Sequence, residues 1–238
     1  MDARDRLIVA LDVPNAVEAC KLAGQIGEAA GTFKVGKQLF TAEGPQVVRD
    51  LVASGRKVFL DLKFHDIPNT VAGAVAAAAQ LGVSMLTVHA SGGSRMLKAA
   101  VEAAGSGPMV LAVTVLTSLN DADMAEIGIS GRVGAQALRM VALARSCGCP
   151  GIVVSPNEAA EIRRELGTGF AIVTPGIRPA GSQAGDQARV ATPADAIRAG
   201  ATYLVVGRPI TGDKDPAAAA RAVLAEIDEA CRQPASAS

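Results

Sequence analysis

Eight short apolar runs recur along the chain, at 7–11, 32–36, 58–63, 84–89, 109–116, 151–155, 170–174 and 202–207. Runs this short and continuous, rather than alternating, predict strands buried on both faces, as in parallel sheets. Between them lie segments with apolar positions at helical spacing: 15–27, 43–53, 69–81, 94–104, 133–146, 157–166, 193–199 and 216–231. Several open on a capping residue followed by proline, as in Thr192-Pro193 and Asp215-Pro216, and several close on glycine, as at Gly55, Gly82 and Gly200. Eight strand and helix units predict an α/β chain folded as one (β/α)8 TIM barrel over residues 1–232. A doubly wound open sheet carries the same alternation, because pattern alone does not prove closure. No linker composition interrupts the units, and 233–238 reads as a disordered tail.

Composition narrows the class. Half of the 238 residues are hydrophobic, yet there is no Trp, one Tyr and five Phe, so the core is built from Ala, Val, Ile and Leu. Lys plus Arg and Asp plus Glu both number 23, with no basic run, which argues against nucleic acid as a partner. No apolar stretch approaches the roughly 18 to 20 residues of a membrane span, so a soluble, cytoplasmic protein is expected. The four cysteines, Cys20, Cys147, Cys149 and Cys231, and the two histidines, His65 and His89, fit no zinc spacing. Cys147 and Cys149 read as buried or incidental thiols, with a redox pair as the alternative.

In a parallel barrel the chemistry gathers at the C-terminal ends of the strands. The polar residues expected there are Asp12 after strand one, Lys34 in strand two, Asp61 and Lys63 in strand three, His89 ending strand four and Thr117 after strand five. Strict alternation along the strand turns Asp61 and Lys63 to the same side, with Leu60 and Leu62 toward the helices. One such pair is compatible with an ordinary structural ion pair. The second lysine, Lys34, points instead to an alternating charge network, which is costly in a cleft unless a ligand uses it. The loops after strands seven and eight, Pro175-Gly176-Ile177-Arg178 and Gly207-Arg208-Pro209-Ile210-Thr211, suit an anion, since glycine permits close backbone approach and arginine offers a two-pronged fork. The connection 179–192 reads either as a lid carrying Gln187 or as a passive surface loop.

These residues together resemble a known family. The runs Leu11-Asp12-Val13, Phe33-Lys34-Val35-Gly36, the DLKFHDIPNTV stretch from Asp61 to Val71, Val115-Leu116-Thr117-Ser118, Pro175 to Arg178, Gly185-Asp186-Gln187 and Val206 to Thr211 resemble the bacterial orotidine 5′-phosphate decarboxylases. The resemblance implies conversion of orotidine 5′-phosphate to uridine 5′-phosphate (UMP) and CO2 in pyrimidine biosynthesis, by a homodimeric barrel without metal or organic cofactor. It assigns the ribose hydroxyls to Asp12 and Lys34, and the pyrimidine to Thr117 and the backbone near Ser118. The phosphate end falls to Arg178, Gln187, Gly207 and Arg208, and the reaction centre to Asp61 and Lys63. It also implies that Asp66, Ile67 and Thr70 reach into the partner's site.

The chemistry agrees with that assignment. Loss of CO2 leaves a carbanion on a ring carbon with no adjacent carbonyl, so the charge must be met electrostatically, and a lysine ammonium can both face it and protonate it. Two other readings stand beside this one. Metal-dependent sugar-phosphate decarboxylases and aldolases of the same superfamily share the Asp-Lys-Asp signature, but typically carry an acid where this chain has Lys34. A non-catalytic phosphate-binding barrel is compatible with the fold alone.

Overall fold

The computed structural model describes residues 1–179 and 191–232. Eight strands, β1 (Leu7–Ala10), β2 (Thr32–Gly36), β3 (Lys57–Phe64), β4 (Met85–His89), β5 (Met109–Val113), β6 (Gly151–Val153), β7 (Ala171–Thr174) and β8 (Tyr203–Val206), run parallel in sequence order. The sheet closes on itself, because β1 pairs with β8 as well as β2, with Leu7 opposite Leu204 and Ile8 opposite Val205. Closure decides for the (β/α)8 barrel over the open sheet.

Each strand carries two buried faces, which explains the continuous apolar runs. Inside the barrel Ile8, Ala10, Phe59, Met85, Leu111, Val173 and Val205 pack as a plug, while Leu7, Val9, Val58, Leu60, Leu86, Val110 and their neighbours pack outward against the helices. The plug is tight. A Cβ at Gly151 would lie 2.7 Å from Ala171 and 2.8 Å from Leu111, so only glycine fits there.

The layer above the plug is where the barrel becomes polar. Stepping inward by two residues from Ala10 gives Asp12, and from Phe59 gives Asp61. Apolar burial below therefore sets the height and direction of the charged groups above.

The helices that cover the barrel are Ala16–Ile26, Gln46–Ala53, Pro68–Gln80, Gly93–Ala104, Val133–Ser146, Pro156–Leu166, Pro193–Arg198 and Pro216–Arg232. Three differences from the sequence expectation have local causes. The segment expected as a helix over 43–53 begins only at Gln46, with a separate helix, Lys37–Glu43, before it, because Gly44 takes φ 65° and Pro45 follows. A short helix, Asp121–Glu126, forms on an Asn120 capping box. Strand five, expected over 109–116, stops at Val113 because its neighbour β6 is only three residues long and leaves it no partner. The residues after Val113 are thereby released toward the top of the barrel.

Cys147 and Cys149 are buried free thiols, and burial, followed by the neighbouring Cys147, pushes the Cys149 thiol up to about 12, where it stays protonated. Among the described residues no helix is long and apolar enough to cross a membrane. The tail expectation for 233–238 lies outside the described residues.

Candidate active site

At the C-terminal end of the barrel four charged side chains form an alternating chain. Lys34 Nζ lies 2.9 Å from Asp12 Oδ1 and 3.7 Å from Asp61 Oδ2, and Lys63 Nζ lies 2.8 Å from Asp61 Oδ1. Lys34 is only 8% exposed, and the Asp61 and Lys63 side chains 13% and 24%. Charges this sheltered persist only when paired, and here every interior charge has an opposite neighbour. Gly36 makes room for the chain, since a Cβ there would meet Lys34 Nζ at 2.9 Å and Asp12 Oδ1 at 3.0 Å.

Asp61 is the hub. Burial pushes its carboxyl up, but the Lys63 and Lys34 charges, with hydrogen bonds from Lys63 and Thr87, outweigh burial and hold it below the usual carboxylate range. It is an anion at neutral pH, flanked by two cations. Thr87, absent from the residues singled out in the sequence, donates to Asp61 Oδ1 at 2.9 Å and accepts from the Lys63 backbone N–H at 2.9 Å. Its signal in the sequence is a polar residue two positions before His89 on an otherwise apolar strand.

The charge chain forms one side of a cavity of about 410 Å³. The floor is Ala10, Phe59 and Val205, and the facing wall is apolar, from Val113, Val115, Leu116, Val153 and Val154, with Thr117 beside it. At the far rim stand Pro175 to Arg178 after β7, and Gly207, Arg208 and Thr211 after β8. Arg178 Nε is buried and has no hydrogen-bond partner among the described residues. Burial, and then the charge of Arg208 beside it, push the Arg178 guanidinium below its ordinary range. A buried donor next to a second cation is the arrangement an anion relieves. The cavity thus offers a cationic end, an apolar wall for a flat ring and a lysine held between carboxylate and cavity.

A sequence profile of the orotidine 5′-phosphate decarboxylase / HUMPS family matches residues 5–223. The chain belongs to this family. It is 54% identical over 237 residues to the orotidine 5′-phosphate decarboxylase of Moorella thermoacetica, spanning 96% of this chain and 94% of that protein. It is 56% identical over 225 residues to that of Halorhodospira halophila, spanning 93% and 95%. The crystal structure of orotidine 5′-phosphate decarboxylase from Lactobacillus acidophilus superposes with TM-score 0.83 at 39% identity, covering 93% of this chain and 98% of that one.

Of the site residues anticipated from the orotidine 5′-phosphate decarboxylase resemblance, Asp12, Lys34, Asp61, Lys63, Thr117, Arg178, Gly207 and Arg208 line this one cavity. Asp66, Ile67 and Thr70 do not. Asp66 is exposed, with Oδ1 accepting from the Ile67 N–H at 2.6 Å, Ile67 is 66% exposed, and Thr70 faces out from the first turn of Pro68–Gln80. Gln187 lies outside the described residues. The two ends of its connection are tied together, since Arg178 N–H donates to Ala191 O at 2.9 Å.

One expectation needs correction. Asp61 reaches the cavity by strand alternation from Phe59, but Lys63 does not, because Lys63 has φ 54° and the pairing of β3 with β4 is irregular between Leu60 and Phe64. A turn in the strand, rather than its pleat, delivers the lysine.

His89 ends β4 with its ring 5.4 Å from that of His65. Burial, followed by the charges of His65, Lys37 and Lys63 and opposed by Asp61, lowers His89 to about 4. The unfolded chain takes up this proton near 6.5, whereas the folded chain does so only near 4. Stability is therefore lost progressively as pH falls from about 6.5 to about 4. His89→Asn should flatten that part of the curve in urea unfolding at pH 4 to 7, and an unchanged slope would remove His89 as the cause.

Proposed function

We propose that the chain decarboxylates orotidine 5′-phosphate to UMP and CO2 in pyrimidine biosynthesis, with Lys63 as the group that meets the carbanion. The single observation that carries the reading is the alternating chain of Asp12, Lys34, Asp61 and Lys63 on one side of a cavity whose opposite rim is the Arg178 and Arg208 pair. The phosphate sits at Arg178, Arg208 and the backbone of Gly207; Gln187, expected at the same end, lies outside the described residues. Thr117 reads the pyrimidine, the apolar wall packs its face, and Asp12 with Lys34 holds the ribose hydroxyls.

The bond from the ring carbon to the carboxylate breaks, and its electron pair stays on the ring carbon. Lys63 faces that carbon as an ammonium, aimed by its 2.8 Å contact with Asp61, and its N–H then protonates the carbon in place of the lost group. Lys63 is left neutral and regains a proton from solvent. A preorganised charge contact of this kind is worth about 3 to 4 kcal/mol, against the roughly 20 kcal/mol that slow reactions demand. The rest falls to remote binding energy at the phosphate, spent on ordering the site and excluding water.

The working unit in this reading is a cytoplasmic homodimer. Asp66, Ile67 and Thr70 are exposed beside the reaction centre and not in it, which suits a contribution to the partner's cavity.

Metal-assisted chemistry of the superfamily's sugar-phosphate enzymes would need free carboxylates, whereas Asp12 and Asp61 are both engaged by Lys34 here. Turnover of orotidine 5′-phosphate, followed by its ultraviolet absorbance, should be unchanged after treatment with chelator. Loss of turnover restored by magnesium would overturn the proposal in favour of that chemistry.

A further inference from the structure

The irregularity in β3 lies directly at the reaction centre. β3 pairs with β4 at Leu60 opposite Leu86 and next at Phe64 opposite Val88, so four steps along β3 span two along β4. Residues 61–63 have no ladder partner on β4, and Asp61 and Lys63 line the cavity. Lys63 is the one non-glycine with a left-handed φ among the described residues, a conformation that persists only when its surroundings hold it.

One side chain occupies the gap. Thr87 is fully buried, sits on β4 between the two pairing points and does not line the cavity. The Lys63 N–H can only donate, so Thr87 Oγ1 accepts from it and turns its own proton to Asp61 Oδ1, each at 2.9 Å. Asp61 Oδ1 also accepts from Lys63 Nζ at 2.8 Å. The result is a closed ring: hydroxyl to carboxylate, carboxylate to ammonium, and lysine backbone back to the hydroxyl. β-Branching restricts the hydroxyl's rotamers, which aims both bonds.

We infer that Thr87 is a positioning residue for the decarboxylation, holding the Lys63 backbone in its left-handed turn and the Asp61 carboxylate in register with the ammonium. This rests on the assignment of Lys63 as proton donor. A threonine that merely fills the core would be replaceable by valine, which has the same shape.

The experiment compares Thr87→Val, Thr87→Ser and the unmodified protein. Loss of hydrogen bonds to a charged group and to a buried N–H should lower kcat in Thr87→Val roughly 10- to 100-fold. KM should stay within about threefold, because no substrate contact is removed. The acid limb of the kcat profile should move to higher pH in Thr87→Val, since one of the bonds favouring the Asp61 anion is gone. Thr87→Ser, which keeps the hydroxyl, should restore most of kcat and the acid limb.

An activity-independent reading is amide hydrogen exchange at Lys63 by NMR: protected in the unmodified protein and Thr87→Ser, fast in Thr87→Val. If Thr87→Val does not fold, Thr87→Ala, which also removes the hydroxyl, takes its place with the same expected result. Unmodified kcat with a protected Lys63 amide in the hydroxyl-free variant, or Thr87→Ser as impaired as that variant, overturns the inference. Absence of turnover in the unmodified protein instead overturns the functional assignment, and the Lys63 amide still reports whether Thr87 holds the turn.

Discussion

Lys63→Ala lowers turnover of orotidine 5′-phosphate by roughly 10⁴-fold or more while the barrel stays folded. Two effects are lost together. The electrostatic contact to the carbanion accounts for roughly 10²- to 10³-fold, and proton donation for roughly 10²- to 10⁴-fold. A third effect adds to them, because Asp61 is left with Lys34 at 3.7 Å as its remaining cation and faces the substrate's carboxylate undercompensated. The side chain is 24% exposed and ends on Asp61 at the cavity, so the loss should appear in kcat far more than in the unfolding midpoint. The check is kcat beside circular dichroism. A loss below tenfold in a folded protein would remove Lys63 from the reaction centre.

Activity returns when two inactive proteins are mixed. Asp66→Asn should be nearly inactive, although Asp66 lies outside its own chain's cavity, and so should Lys63→Ala. In a mixed dimer one site combines the intact Lys63 of one chain with the intact Asp66 of the other, and the second site carries both lesions. With free exchange half the dimers are mixed, so recovery should approach roughly a quarter of unmodified activity. No recovery, with exchange demonstrated by a size or mass tag, would place Asp66 in a role within its own subunit.

How far the sequence carried can be judged from particular residues. The eight strands were legible because strands with two buried faces are written as unbroken apolar runs, and Leu7 to Ala10 or Tyr203 to Val206 leave little other choice. The polar residues at the strand ends were legible for the same reason, standing out against apolar neighbours. Closure was not, since the pairing of Leu7 with Leu204 depends on residues nearly 200 positions apart. The start at Gln46 was written in the sequence as Gly44 and Pro45, whereas Lys37–Glu43, with Leu39 as its buried residue, is too short to show a helical apolar spacing.

Thr87 showed only as a polar residue on an apolar strand, and its partners, like the turn at Lys63, were illegible for a different reason. Register between β3 and β4 is a property of two strands at once, and a skipped ladder partner leaves no mark in either strand's own pattern. Strict alternation gave the right side of the sheet for Lys63 by the wrong route. The arginine end was legible as glycine and arginine after the last two strands, but the unpartnered Nε of Arg178 exists only once β7 and β8 are adjacent.

In the proposed reaction this cavity decarboxylates orotidine 5′-phosphate through its own charge network. The most direct test is to incubate the purified chain with orotidine 5′-phosphate, follow the absorbance change, and quantify the products. Complete conversion to UMP with one equivalent of CO2 is the predicted result. An unchanged spectrum from folded protein, at concentrations that saturate the site, would contradict it.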